Sequence, residues 1–204
     1  APIQFENLLH AAGKASRVNF LAEGWIADGR INLLCAPTGV GKTMLAAHFC
    51  VSMASGQPFA FLEDINPKKP VDVFYLDKEV GAEGLASRGY DEYTYPGSER
   101  FHYTNIEGEY ESGLDLLNSI EANVMILGKD ALFVVDHVTF YNDLLSAPGA
   151  ARFIEKADSI IKKAKQQGIS ITFIFVVHVD LKSHNDWEPI TMRDINGASN
   201  LANG

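Results

Sequence analysis

Apolar residues in this chain fall into short β-rich runs separated by stretches of helical spacing. The run at 31–36 (Ile-Asn-Leu-Leu-Cys-Ala) predicts the first strong strand. Lys42 to Ser55 then predicts a helix, with Met44, Leu45, Ala47, His48, Val51 and Ser52 at helical spacing and Gly56 as its stop signal. Residues 67–70 read as a loop carrying two lysines, leading into a strand at 71–76. Residues 81–100 combine glycines, tyrosines and charges, the mark of a short helix followed by an irregular crossing, and 101–104 reads as a brief strand. Ser112 is placed to cap a helix running to about Leu127, with Leu114, Leu117, Ile120 and Val124 on one face. An unbroken apolar run makes 131–136 a buried strand. The strongest amphipathic helix spans 150–167, with Phe153, Ala157, Ile160, Ile161 and Ala164 inward and Gly168 past its end. A long β-branched strand follows at 169–178, and from Asp180 onward the chain is polar and loop-like. It shows no internal repeat, low-complexity tract or domain linker.

Strands alternating with helices predict an α/β fold in three layers, a mostly parallel central sheet covered by helices on both faces. At 204 residues the chain suits a single domain, 1–204, long enough to bury a full core. Its 47% apolar and 21% charged residues are those of an ordinary globular protein. The longest apolar run, 169–179, is broken by Ser170, Thr172 and His178 and is too short to span a bilayer. No basic stretch followed by an apolar run opens the sequence, so no signal peptide is expected. Cys35 and Cys50 lie in apolar contexts without metal-ligand spacing and read as buried, reduced thiols of a cytoplasmic protein. A net charge of −9 excludes a surface that coats nucleic acid by bulk electrostatics. It leaves room for a ring assembly that lines a narrow channel with a few lysines.

Between the first strand and the first helix lies Ala36-Pro37-Thr38-Gly39-Val40-Gly41-Lys42-Thr43, a phosphate-loop pattern in the strand–turn–helix context that such a loop requires. Glycines let backbone N–H groups form a concave nest, and the helix N-terminus adds free donors and a positive dipole end. Lys42 supplies a mobile cation for the β- and γ-phosphates, and Thr43 a hydroxyl for Mg²⁺. The pattern departs from its strict form at one place, where Ala36 stands for the first glycine. With Met44 following, these residues form the expected ATP-binding segment.

A phosphate loop needs acidic groups at neighbouring strand ends. Leu132-Phe133-Val134-Val135-Asp136 ends four apolar residues in a carboxylate, the form of a Walker B strand, and Asp136 is the expected metal ligand beside Thr43. Asp77 and Glu79 follow the strand at 71–76, and either could be the general base that polarises water. His178 closes the strand at 169–178, at the sheet edge where ligands bind in open α/β folds. It reads either as a γ-phosphate sensor or as a satisfied core histidine. Lys182 and Arg193 read as solvated loop cations.

In order and spacing these pieces resemble the RecA-like ATPase superfamily, and within it the RepA-like hexameric replicative helicases and their relatives in plasmids and phages. Residues 20–30 (Phe-Leu-Ala-Glu-Gly-Trp-Ile-Ala-Asp-Gly-Arg) are similar to that family's lead-in to the phosphate-loop strand, with 1–18 expected as a preceding helical segment. Residues 73–79 resemble its second strand, whose trailing glutamate is the catalytic base, which favours Glu79 over Asp77. Asp136 matches the Walker B aspartate, and 176–182 resembles the strand end that carries a polar sensor and a nearby basic residue. Arg193-Asp194-Ile195-Asn196-Gly197-Ala198-Ser199 is similar to a segment after a mobile loop associated with DNA. The sequence stops at Gly204, so the family's last strands, and any arginine finger on them, are expected to be absent.

The resemblance implies an Mg²⁺-dependent ATPase that assembles into a ring, a hexamer in the family, and acts on single-stranded DNA. Glu79, Lys42 and His178 would be its catalytic residues. Two other readings remain open. One is a nucleotide-dependent switch with little turnover, favoured by the acidic surface and the missing strands. The other is a small-molecule P-loop kinase, for which the tyrosine- and acid-rich region 81–110 offers little substrate pocket or basic lid.

Overall fold

Strand alternation in this sequence is two-sided, and the computed structural model, which describes residues 18–59, 66–87 and 97–179, shows what each side packs against. Three segments read from sequence lie outside the described residues: the 1–18 lead-in apart from Val18, the middle of the 81–100 crossing, and everything from Asp180, with Lys182, Arg193 and the Gly-Ala-Ser segment.

A small antiparallel hairpin, β1 (Phe20–Ala22) and β2 (Ile26–Ala27), precedes the main sheet. The sheet strands are β3 (Ile31–Pro37), β4 (Asp72–Asp77), β5 (Phe101–Asn105), β6 (Ala131–Asp136) and β7 (Ile171–Val179), in the order β3-β7-β6-β4-β5. Every pairing among the five is parallel. Helices α1 (Lys42–Ser55), α2 (Gly81–Ala86), α3 (Gly113–Leu127) and α4 (Ala147–Gln166) supply crossovers.

Because successive side chains of a strand point to opposite faces, each central strand feeds two cores. Phe133, Val135, Phe173, Phe175 and Val177 pack with α3 and α4 on one face. Val73, Tyr75, Leu132, Val134, Ile174 and Val176 pack with Phe49, Cys50 and Met53 of α1 on the other. A parallel sheet covered on both faces needs such near-continuous apolar strands. This is the expected three-layer α/β architecture.

The helix ends follow local chemistry. Ser112 caps α3 by accepting the N–H of Asp115. Its buried face is built from Leu116, Leu117, Ile120 and Val124, while Leu114, expected inward, is only half-buried. Helix α4 begins three residues before the expected Ala150. Ser146 caps it, and Pro148 is tolerated because the first turn has no intrahelical N–H bond to lose. Two short 3₁₀ turns, Val138–Phe140 and Asn142–Leu145, lead into it, and neither is visible as periodicity. Gly149 lies so close to that turn that a Cβ would sit 1.8 Å from the Asp143 carbonyl oxygen. Both cysteines are free, Cys50 buried and Cys35 half-buried. No helix among the described residues is long and apolar enough to cross a membrane.

Strand register brings the chemistry to one edge. Ala36 pairs with His178, and Asp77 pairs with Asp136. The C-terminal ends of β3, β7, β6 and β4 therefore lie side by side, at the edge where ligands bind in parallel sheets.

Candidate active site

The loop after β3 turns on Gly39 and Gly41, whose φ angles of 81° and 92° are left-handed values that residues with a Cβ rarely adopt. Gly41 is the N-cap of α1, makes no side-chain cap, and the first turn holds no acidic residue. That end of α1, with the positive end of the helix behind it, is suited to receive an anion.

Lys42, the first residue of α1, is 94% buried and donates from Nζ to the Pro37 carbonyl at 2.6 Å. The ammonium is folded back over its own loop. Burial lowers its pKa, and the nearby charges of Asp136, Glu79 and Cys35 oppose that shift. The lysine therefore stands within the field of both carboxylates read as its partners.

Asp136 is fully buried at the end of β6. Its Oδ2 accepts the Tyr75 hydroxyl at 2.5 Å, and the Thr43 side chain also hydrogen-bonds to the carboxylate. Burial pushes its pKa up, the bonds from Tyr75 and Thr43 pull it down, and the charges of Glu79 and Asp77 raise it again. Oδ1 is buried without a hydrogen-bond partner among the described residues. A buried carboxylate oxygen left open beside the Thr43 hydroxyl is a donor set that fits a hard divalent cation such as Mg²⁺. Burial, the negative charge of Asp136 and the hydrogen bond the phenol donates to it push Tyr75 far above its ordinary range. Tyr75 was missed in the sequence, where it is one more apolar-compatible position of a strand.

The structure separates the two candidate bases. Asp77 is fully buried. Its Oδ1 accepts the backbone N–H groups of Glu79 and Val80 at 2.8 and 3.0 Å, and its Oδ2 accepts Gly81 N–H at 2.7 Å and the Tyr103 hydroxyl at 2.8 Å. Four donors saturate this carboxylate and make it the brace of the turn after β4. Glu79, by contrast, is exposed along the site, with its Oε2 3.5 Å from His137 Nε2 and 3.9 Å from His178 Nε2.

His178 joins β7 to the phosphate loop through a 3.0 Å hydrogen bond between Nδ1 and Thr38 Oγ1. Its ring packs against that of His137, with centroids 3.6 Å apart. His137 is buried directly after Asp136, with Nδ1 2.6 Å from Thr139 Oγ1. Burial holds both imidazoles below their ordinary pKa, His137 down to about 3, and the positive charge of Lys42 acts in the same direction. Both rings are neutral at physiological pH. His137 too was missed: its one sequence signal was its place immediately after a Walker B aspartate.

The structure thus brings Lys42, Thr43, Glu79, Asp136 and His178 together at one sheet edge, adds Tyr75 and His137, and sets Asp77 to a supporting task. The sequence profile of a family described as AAA domain matches residues 3–180, a span that holds every one of these residues. No curated protein matches the sequence.

Proposed function

We propose that this chain, which belongs to the AAA domain family of nucleotide-binding P-loop ATPases, hydrolyses ATP through Lys42, Thr43, Glu79, Asp136 and His178. The observation that carries this reading is the convergence at the loop of the buried Lys42 ammonium bonded to Pro37, the open Asp136 oxygen, and Glu79 beside the His178 that bonds Thr38.

In the proposed mechanism the loop amides of 39–43 and the start of α1 receive the phosphates. Lys42 exchanges the Pro37 carbonyl for phosphate oxygens, so its charge moves onto the group that becomes more negative during transfer. Thr43 and Asp136 would hold Mg²⁺, which supplies positive charge against the phosphate oxygens when bound. Glu79 orients a water molecule for in-line attack at the γ-phosphorus and takes its proton. A new P–O bond forms, the bond to the bridging oxygen breaks, and the electron pair leaves on ADP. His178, neutral and fixed to Thr38, is the side chain that links β7 to the loop as the γ-phosphate comes and goes. Asp77 holds the Glu79 backbone during these steps.

A motor role fits the order of the motifs: the site belongs to a ring-forming, RepA-like DNA helicase, with a cation from a neighbouring subunit completing each site. Comparing ATP turnover and nucleotide binding with and without single-stranded DNA tests this. Strong stimulation supports the motor. Tight ATP binding with no turnover under either condition would overturn the hydrolytic reading in favour of a nucleotide switch.

A further inference from the structure

The three side chains that converge beside the phosphate loop are not an ordinary Mg²⁺ donor set. His137 Nε2 and His178 Nε2 approach the same oxygen, Glu79 Oε2, at 3.5 and 3.9 Å. One ligand atom from each of the three residues lies within 4.8 Å of the other two. In a tetrahedral site with metal–ligand bonds of about 2.0–2.1 Å, ligand atoms stand about 3.3 Å apart. The two nitrogen-to-oxygen separations need only a small inward movement to reach that value, and Glu79 is an exposed, adjustable side chain.

The surroundings of the two imidazoles point the same way. Each ring has its Nδ1 beside a threonine hydroxyl, His137 at Thr139 and His178 at Thr38. When Nδ1–H donates to those hydroxyls, the lone pairs sit on Nε2, facing Glu79. Metal-bound histidines are oriented by this kind of outer hydrogen bond. The two rings pack 3.6 Å apart between centroids, and both Nε2 atoms approach Glu79 Oε2.

We propose that Glu79, His137 and His178 form a cation site distinct from the Thr43–Asp136 pair, selective for borderline divalent ions such as Zn²⁺ or Co²⁺ over Mg²⁺. Two imidazole nitrogens and one carboxylate suit zinc-like ions, whereas Mg²⁺ prefers an all-oxygen octahedron. Three protein ligands leave a fourth position open, as in tetrahedral sites with a free place. Metal binding rests on this geometry alone. Its effect on turnover rests on the reading of Glu79 as the base, since a carboxylate bound to metal no longer accepts a proton.

The test is a Co²⁺ titration of the whole chain without nucleotide, read by visible absorption. The expected result is one ion bound with the intense bands of four-coordinate Co²⁺, bleached by Zn²⁺ and unaffected by excess Mg²⁺. Glu79→Gln and His178→Asn should each weaken binding at least about tenfold, while His102→Asn, on β5 with its Nε2 at Asp72, leaves it unchanged. Absence of the intense bands, or wild-type titrations in both Glu79→Gln and His178→Asn, overturns the site. A second arm follows ATP turnover in excess Mg²⁺ as Zn²⁺ is added and then chelated. Reversible loss supports both the site and the base. Undiminished turnover at spectroscopically saturating metal leaves the site standing and overturns Glu79 as base.

Discussion

The Asp77 carboxylate accepts the backbone N–H of Glu79 at 2.8 Å. Two acids that look equivalent in the sequence therefore divide the work. One is buried and saturated with donors; the other is carried on the turn that the first one shapes, with its own carboxylate turned toward two histidines.

Glu79→Gln is expected to retain nucleotide binding and to lose hydrolysis by about 10²–10⁴-fold, the usual contribution of a positioned base. Asp77→Asn should act differently, costing about 1–3 kcal/mol of stability by upsetting a buried, fully bonded acceptor. Turnover, nucleotide affinity and urea unfolding of both variants check the division. Normal turnover in Glu79→Gln would reverse it.

Lys42→Ala removes the ammonium that stands over the loop. Turnover should fall by at least about 10²-fold, the typical cost of deleting one donor to a developing charge, with weakened nucleotide binding. Titration with a fluorescent nucleotide and a phosphate-release assay measure the two effects separately.

Tyr75→Phe deletes the donor to Asp136 Oδ2 and leaves that buried oxygen short of a partner. A loss of about 1–3 kcal/mol is expected, seen as a lower urea midpoint. Nucleotide affinity should change less than stability, because Thr43 still holds the carboxylate.

Gly149→Ala drives a methyl group into the Asp143 carbonyl, so the turn before α4 must shift. Overpacking of this kind costs about 1–3 kcal/mol. Thermal unfolding of this variant beside Gly108→Ala, where a Cβ meets nothing within 4 Å but φ is 74°, separates crowding from backbone strain.

Glu121 bridges α3 and α4 by accepting hydrogen bonds from Lys156 and Lys163, and these two bonds hold its pKa below the usual carboxylate range. A carboxylate whose folded pKa is depressed stabilises the fold above its unfolded pKa. That contribution fades as pH falls from about 4.3 through the lower folded value. Glu121→Gln should cost about 1 kcal/mol at neutral pH and almost nothing at pH 2. Unfolding curves of both proteins across that interval show whether the gap closes as pH falls.

Much of the architecture was legible because it is local. Turn chemistry marks the loop at 36–43, Ser112 and Gly56 mark helix ends, and apolar, β-rich runs mark 71–76, 131–136 and 169–178 within a residue or two. The hairpin at 20–27 was harder to see, since its strands are two and three residues long and carry too few positions for a period. The first turn of α4 was obscured by Pro148-Gly149, which reads as a loop although proline is at home in a first turn.

By itself the sequence determined that a phosphate loop follows a strand, that Asp136 closes another, and that acids and a histidine stand at further strand ends. Spacing along the chain carries that much. Which of those ends meet is set by strand order and register, through contacts between residues far apart in sequence. Only the tertiary structure placed His178 against Thr38 and His137, buried Asp77 under four donors, turned Glu79 into the site and joined Tyr75 to Asp136. Each of these depends on which way a side chain points once the sheet has packed on both faces.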